Sequence, residues 1–408
     1  MSALHRSGPR VAVVAEFYPS RHDPVLGVWT HRQALAARDA GAEVRVLVLH
    51  RLVPPRASLA GGPASAAGAL SELVREPLRQ TRDGIPIHYV PYVSPPRERG
   101  YARWGAWAAP PLGLALRRLA RVFRFELIHA HNAVPAGDAV RRARMRVPLV
   151  VSVHGGDVLY TARRGPEGAQ AVARGLGAAR LVLANSHGIA DMARQHGAGE
   201  TRVVHLGADL PDAPIRELRD EHGARSGAQA LVTVAHLVAR KRHADVLRAL
   251  AVLEPRHPAL RYSIVGDGPE RVALEGLAAR LGVAGRVDFH GQLPPQQAVE
   301  QARRCTLFVM PSTEEAFGVA YIEAMAAGLP AIGCRGEPGP EEIAAAGDGF
   351  MLVPPGDIER LTQRIDELLS DPRRLREAGQ RARATVAANF TWERCGEETL
   401  AAYAQALA

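Results

Sequence analysis

Twice along this chain, short apolar runs bounded by turn residues alternate with longer stretches of helical periodicity, and this alternation constrains the fold more than any other feature. Such strands are buried on both faces, as in parallel sheets covered by crossover helices. In the first half the predicted strands are Val11–Ala15, Val44–Leu49, His88–Pro91, Leu127–Ala130, Leu149–Val153, Leu181–Ala184 and Arg202–His205, with helices such as Thr30–Ala40 and Gly188–His196 between them. After a charged stretch the pattern restarts with Leu231–Ala235, Arg261–Val265, Val287–His290, Leu307–Pro311 and Ala331–Gly333. A chain of 408 residues also exceeds what one core usually serves. The expected fold class is α/β, two Rossmann-like doubly wound domains facing a cleft, with ligands at the carboxyl ends of the strands. The expected boundaries are residues 1–210, a linker at 211–228, a second domain at 229–388, and a C-terminal helix at 389–408 that packs back on the first domain.

Charge is shared unevenly between the halves. Residues 1–210 hold 28 arginines against 15 acidic residues, +13, whereas the remainder holds 23 basic against 27 acidic residues, −4. The first half is therefore expected to meet an anionic partner: a membrane surface, a lipid-diphosphate acceptor or an acidic glycan. Nucleic acid is not expected, because no recognition-helix, aromatic-sheet or zinc-knuckle pattern is present. The stretch Arg97–Arg124 sets Tyr101, Trp104 and Trp107 among Arg97, Arg99, Arg103, Arg117, Arg118, Arg121 and Arg124. It reads equally as an interfacial helix on an anionic membrane or as an amphipathic helix packed on its own sheet. The segment at about Arg51–Arg82, rich in Ala, Gly, Pro and Arg, reads as a mobile flap.

The three cysteines (Cys305, Cys334, Cys395) are odd in number and outside any metal-ligand spacing, which suits a reducing compartment. Neither a signal-peptide pattern nor an 18-residue apolar span is found, so the expected location is the cytoplasm, or the inner face of the membrane as a peripheral protein.

Lys241 is the only lysine among the 51 basic residues. A composition that has replaced Lys by Arg almost everywhere marks position 241 as a site wanting a compact ammonium rather than a planar fork, unless the lysine survives by chance on a solvated helix. The second signal is the segment from Pro311 to Pro330, PSTEEAFGVAYIEAMAAGLP. A strand ends at Pro311, a loop carries Glu315, and a helix starts near Phe317 or Gly318, so the free N–H groups of its first turn, with Val319, can receive a phosphate or a polar sugar edge. Glu315 can face a sugar and Glu323 can accept hydrogen bonds from vicinal hydroxyls. Two glutamates at this spacing alone would more often mark a solvated helix face; the Phe317, Gly318, Gly328 and Pro330 around them make the pattern specific.

This segment resembles the two-glutamate motif of the retaining glycosyltransferases of family 4 (glycosyl transferases group 1), whose fold is the two-Rossmann GT-B architecture, and the resemblance extends over nearly the whole chain. EFYPSRHDPVLGVWTHRQALAARDAGAEVRVLVL is similar to that family's first strand, glycine loop and helix. Gly27 there would let the backbone approach donor phosphate or acceptor, or is a simple turn glycine. VSVHGGDV places His154, Gly155, Gly156 and Asp157 at a strand's carboxyl end, and the resemblance implies that His154 contacts the transferred sugar. ANSHGIADM resembles the next cleft-facing turn, although Ser186 equally suits a helix N-cap. In TVAHLVARKRHADVLRAL, Lys241 matches the family's diphosphate-binding lysine, while His236 stands where the family has arginine; Arg240 or Arg242 would then supply the second charge. VGDGPE (Gly266, Asp267, Gly268) and VDFHG with His290 resemble the loops bracketing the nucleotide base. GEPGPEEI resembles the turn near the donor sugar, with Glu341 or Glu342 at the acidic position, and LVPPGD resembles the turn ending that unit.

The expected activity is transfer of a sugar from a nucleotide diphosphate donor to a lipid-linked or glycan acceptor, with retention of configuration, in cell-envelope polysaccharide or glycolipid synthesis. Catalytic roles fall to His154, Lys241 and Glu315, with acceptor on the first domain and donor on the second. No cofactor or metal is expected, since no carboxylate pair has metal-ligand spacing. The alternatives are a nucleotide-sugar epimerase of the same architecture and a non-catalytic nucleotide-sugar-binding protein.

Overall fold

The structure, a computed structural model, describes residues 8–21, 23–54, 56–95, 100–211 and 229–408. The linker predicted at 211–228 lies outside these apart from Pro211, as do Arg97 and Arg99 of the basic stretch. Contacts divide the chain into one unit of residues up to His205 with Trp392–Ala408, and another of Leu206–Thr391.

Among the described residues the first unit holds β1 (Arg10–Ala15), β2 (Glu43–Arg51), β3 (Arg79–Arg82), β4 (Ile85–Tyr92), β5 (Leu127–His131), β6 (Leu149–Val153), β7 (Leu181–Ala184) and β8 (Thr201–Val203), in the order β3-β4-β2-β1-β5-β6-β7-β8. Pairing is parallel throughout except for β3, which joins β4 as an antiparallel edge. Val11 lies opposite Val44 on one side and Leu127 on the other, so β1 is covered along both edges and its apolar run is fully buried. The order reverses between β1 and β5, which makes their carboxyl ends a topological switch point.

The second unit holds β9 (Ala230–Val234), β10 (Arg261–Val265), β11 (Val287–Gly291), β12 (Leu307–Val309), β13 (Ala331–Cys334) and β14 (Phe350–Val353), all parallel, in the order β11-β10-β9-β12-β13-β14. Its reversal lies between β9 and β12. Leu231, Tyr262, Ile264, Leu307, Val309 and Ile332 from the sheet meet Val246, Leu250, Leu361 and Ile365 from the covering helices in one core.

Two segments of the first unit take regular form. The segment predicted as a mobile flap carries the helix Pro63–Arg75 and strand β3, and no side chain of that helix is fully buried. The basic stretch forms the helix Trp104–Phe123, with Pro110 and Pro111 inside it. Trp104, Leu112 and Leu116 are buried, and Gly105 is small because a Cβ there would lie 2.5 Å from an Asp138 carboxylate oxygen. The helix packs on its own sheet through this face, and Trp107, Leu114 and Val122 remain exposed on its outer face.

The last helix, Trp392–Leu407, lies along Val28–Asp39 in the first unit. A Cβ on Gly396 would lie 2.2 Å from the Ala36 carbonyl oxygen, the Gln33 amide donates to Thr399 Oγ1 at 3.2 Å, and the Arg32 guanidinium stands 5.2 Å from the Trp392 ring centre. Among the described residues no helix is long and apolar enough to cross a membrane.

Candidate active site

In the second unit two loops leave the switch point. One follows β9 through an exposed His236 to the helical turn Ala239–Lys241; the other follows β12 through Ser312, Thr313 and Glu314 to Glu315. The Thr313 N–H donates to the Arg240 carbonyl at 2.8 Å and ties the loops together. Glu314 adopts a left-handed φ of 56°, which turns the chain so that Glu315 points inward.

There Lys241 Nζ donates to Glu315 Oε2, with only 12% and 10% of the two side chains exposed. Ser312 Oγ reaches the same oxygen at 3.0 Å and lies 2.9 Å from the Tyr321 hydroxyl, which donates to the Met310 carbonyl. The Glu315 N–H donates to Glu337 Oε2 at 2.9 Å, and its carbonyl accepts from Gly339 at 3.1 Å. Burial works to raise the Glu315 pKa, but the charges and hydrogen bonds of Lys241, then Arg240 and Ser312, outweigh it and hold the carboxyl below its ordinary value. Glu337 shifts the other way: burial raises it, and the negative charge of Glu315 adds to the rise.

Glu315 is therefore a fixed anion and Lys241 a cation held beside it. Removing one member of such a pair leaves an uncompensated buried charge, at a cost of about 3–5 kcal/mol.

The helix Val319–Ala326 begins beside this pair. Its N-cap, Gly318, has φ 93°, and a Cβ there would lie 2.3 Å from the Tyr321 ring, so the position demands glycine twice over. No side chain caps the helix, leaving its first N–H groups, including that of Val319, for an anion. Glu323 is part-buried in the same helix. The Phe317 side chain is 1% exposed and packs edge-on against Phe390 in the core.

Of the two arginines left open to accompany Lys241, Arg242 is engaged, its Nε donating to Asp245 Oδ2 at 2.6 Å. Arg240 is exposed and forms no ion pair among the described residues. Glu341 accepts from the Gly336 N–H at 2.8 Å, so within GEPGPEEI it is Glu337 that touches Glu315.

The glycines after β10 have a packing reason. A Cβ on Gly266 would lie 1.9 Å from the Ala235 carbonyl oxygen, and one on Gly268 would lie 2.5 Å from that of Leu237. Asp267 accepts the Gly268 N–H at 2.7 Å through its own carboxylate. His290 is exposed at the end of β11, its Nε2 lying 2.7 Å from Ser263 Oγ. These residues stand at neighbouring strand ends, and among the described residues they form no hydrogen bond or ion pair with Lys241 or Glu315.

In the first unit β6 ends at Val153 and His154 follows, part-buried. His154 Nε2 lies 2.9 Å from His131 Nδ1, and the two rings stack 5.2 Å apart. His129, on the same face of β5, bonds Ser152 Oγ at 2.7 Å and the Tyr403 hydroxyl at 2.8 Å. Burial is the main cause that lowers all three histidines: His154 to about 4, His129 to about 3, and His131 well below its ordinary value. They are neutral at physiological pH. The His154 Nδ1 and His131 Nε2 atoms are buried without a hydrogen-bond partner.

Asp157 receives the Val134 N–H and the Asn132 amide, each at 3.2 Å, and burial raises it to about 6. Gly27, φ 71°, caps the helix Val28–Asp39; a Cβ would lie 2.2 Å from the Phe17 backbone. Two residues on, the Trp29 ring sits 6.2 Å from that of His154, so the glycine turn and the histidine occupy one neighbourhood. Ser186 caps the helix His187–Gln195, its Oγ accepting the Ile189 N–H at 3.3 Å.

Comparison with known proteins draws on the whole chain. The model for Glycosyltransferase Family 4 matches residues 26–211, and that for Glycosyl transferases group 1 matches residues 214–385. A D-inositol 3-phosphate glycosyltransferase of Nocardia farcinica is 32% identical over 304 residues, 69% of this chain and 67% of that protein. The chain belongs to glycosyltransferase family 4. It is accordingly a glycosyltransferase, and its two doubly wound sheets are those of the GT-B fold. Sucrose-phosphate synthase of Thermosynechococcus elongatus superposes with a TM-score of 0.77 at 22% identity, covering 97% of this chain and 98% of that one. Anabaena HepE, solved with UDP and glucose, superposes at 0.70 with 21% identity over 97% and 99%. An exopolysaccharide phosphotransferase of Streptomyces coelicolor is 37% identical over 155 residues, but the match spans only 38% of this chain and 16% of that protein.

Proposed function

We propose that this glycosyltransferase takes a sugar from a nucleoside diphosphate sugar and transfers it, with retention of configuration, to a lipid-linked or glycan acceptor in envelope polysaccharide or glycolipid synthesis. The observation that carries the reading is the buried Lys241–Glu315 pair at the switch point of the second sheet, beside the uncapped helix N-terminus at Gly318. A diphosphate entering there meets an ammonium whose charge is already positioned, the N–H groups that open the helix Val319–Ala326, and the exposed guanidinium of Arg240 in place of the arginine that His236 replaces. As the glycosidic C–O bond to the diphosphate breaks, negative charge grows on the leaving oxygen, and Lys241 and the helix terminus stabilise it. Glu315, freed from its lysine, accepts hydrogen bonds from sugar hydroxyls, and Glu323 accepts those of the ribose.

In this reading side chains rather than a divalent cation neutralise the diphosphate, and neutral His154 contacts the transferred sugar. The UDP and glucose with which HepE was solved support the donor class. Attachment to the inner face of a membrane through Trp107, Leu114 and Val122 belongs to the same proposal.

The test is a thermal-shift screen with UDP, GDP, ADP and their sugars in EDTA, followed by NMR of the product formed with the stabilising donor. One nucleotide should raise the melting temperature without metal, because a ligand bound only by the folded state stabilises it. The product should keep the donor's anomeric configuration. An inverted product, or epimerised donor with no transfer, would overturn the reading.

A further inference from the structure

At the opposite, amino-terminal end of the strands of the first sheet, Arg117, Arg141, Arg142 and Arg144 line a depression of about 550 Å³ together with Ala143. Its place follows from the chain path. Arg117 lies near the C-terminal end of the helix Trp104–Phe123, which leads into the start of β5, and Arg141, Arg142 and Arg144 end the helix Asp138–Ala143, which leads towards the start of β6. His154 stands at the far, carboxyl end of β6. The depression is therefore outside the site described above, and its inference rests on no part of the proposed reaction.

The arginines are arranged rather than scattered. Asp138, its side chain 1% exposed, accepts Arg141 Nε at 3.1 Å and NH2 at 2.7 Å through Oδ1, and Arg142 Nε at 2.8 Å through Oδ2. One buried carboxylate thus fixes two guanidinium groups, which keep about a third of their side chains exposed, at 32% and 35%. Gly105 makes this possible, since any side chain there would displace Asp138. Arg144 is turned by a left-handed φ of 53° that ends the helix, and Arg117 arrives from the neighbouring helix. Neither forms an ion pair among the described residues, so four positive charges face one negative charge. A fold gains no stability by gathering unpaired like charges in one depression. Fixed guanidinium forks in such an array match the oxygen geometry of a phosphoryl group.

We propose that this depression is a binding site for a phosphate-bearing anion, separate from the donor and acceptor sites of the transferase. The phosphoryl group can belong to a soluble compound or to a lipid headgroup, and the experiment separates the two sources.

Binding of inorganic pyrophosphate is measured by calorimetry, and binding to vesicles of phosphatidylglycerol and of phosphatidylcholine by co-sedimentation. The wild type is compared with Arg117→Ala/Arg144→Ala and with Arg174→Ala/Arg180→Ala, which removes the same charge elsewhere on the first unit. Arg117 and Arg144 are exposed and form no ion pair among the described residues, so the first double variant should fold normally. A soluble source predicts that it weakens one pyrophosphate site about tenfold or more, as loss of charge-assisted hydrogen bonds does, while the second variant binds as wild type. A lipid source predicts the same difference for phosphatidylglycerol vesicles and none for phosphatidylcholine. Equal effects of the two variants on both probes, or no effect of the first on either, would overturn the site.

Discussion

Acid should unfold the first unit at a pH where most enzymes of this size are still stable, and its buried histidines set the magnitude. His129, His131 and His154 have folded pKa values lowered from an ordinary 6.5, to about 3 for His129 and about 4 for His154. Between those values and 6.5 the unfolded chain binds three protons that the folded unit does not. Stability is therefore complete above pH 6.5 and is lost as the pH falls towards 4, at up to about 1.4 kcal/mol per histidine per pH unit. Asp157 opposes them: raised to about 6, it binds a proton in the folded state that the unfolded chain does not take up until near 3.8. The net imbalance is two protons, or about 2–3 kcal/mol per pH unit between pH 6 and 5, a large share of a typical domain's 5–15 kcal/mol. His31, also lowered by burial, acts in the same sense as the cluster. The assay can be confined to this unit because Trp29, Trp104, Trp107 and Trp392, the chain's 4 tryptophans, all lie in it. Urea midpoints from tryptophan fluorescence should fall steeply from pH 6.5 to 5, and His131→Asn should reduce the slope by about one proton. A midpoint flat across that range would refute the reasoning.

Three further substitutions test packing. Trp104→Ala removes a ring that is 2% exposed and should cost about 3–5 kcal/mol, whereas Trp107→Ala, 49% exposed, should change stability by no more than about 0.5 kcal/mol; urea titration measures both. Gly396→Val forces a side chain against the Ala36 carbonyl and should loosen the last helix by about 1–3 kcal/mol, read as faster proteolytic cleavage near Trp392.

The doubly wound order was legible because parallel strands covered on both faces are almost purely apolar, as in VAVVA and LVVSV. β3 escaped because RQTR is an exposed edge with alternating burial and no apolar run, although the Asp83-Gly84 turn beside it is a hairpin signal. β14 escaped because FMLV shares its last two residues with LVPPGD, whose prolines and glycine read as turn. In the site, Lys241 and Glu315 could be found from residue rarity and motif. Ser312, Tyr321, Glu337 and His131 could not, although the first two lie within the quoted motif. Their roles depend on which buried polar groups the fold brings within hydrogen-bond reach, and no local periodicity encodes that. Phe317 shows the converse: a residue inside the motif whose side chain serves the core.

The most direct measurement is kcat/KM of Lys241→Ala with the donor identified by thermal shift. Folding is checked by far-ultraviolet circular dichroism, because the tryptophans do not report on the second unit. Loss of the ammonium beside the departing diphosphate should cost about 2–4 kcal/mol of transition-state stabilisation, roughly 30- to 1000-fold in kcat/KM, in a protein that remains folded. A folded Lys241→Ala enzyme with the wild-type kcat/KM would contradict the assignment of Lys241 to the phosphates.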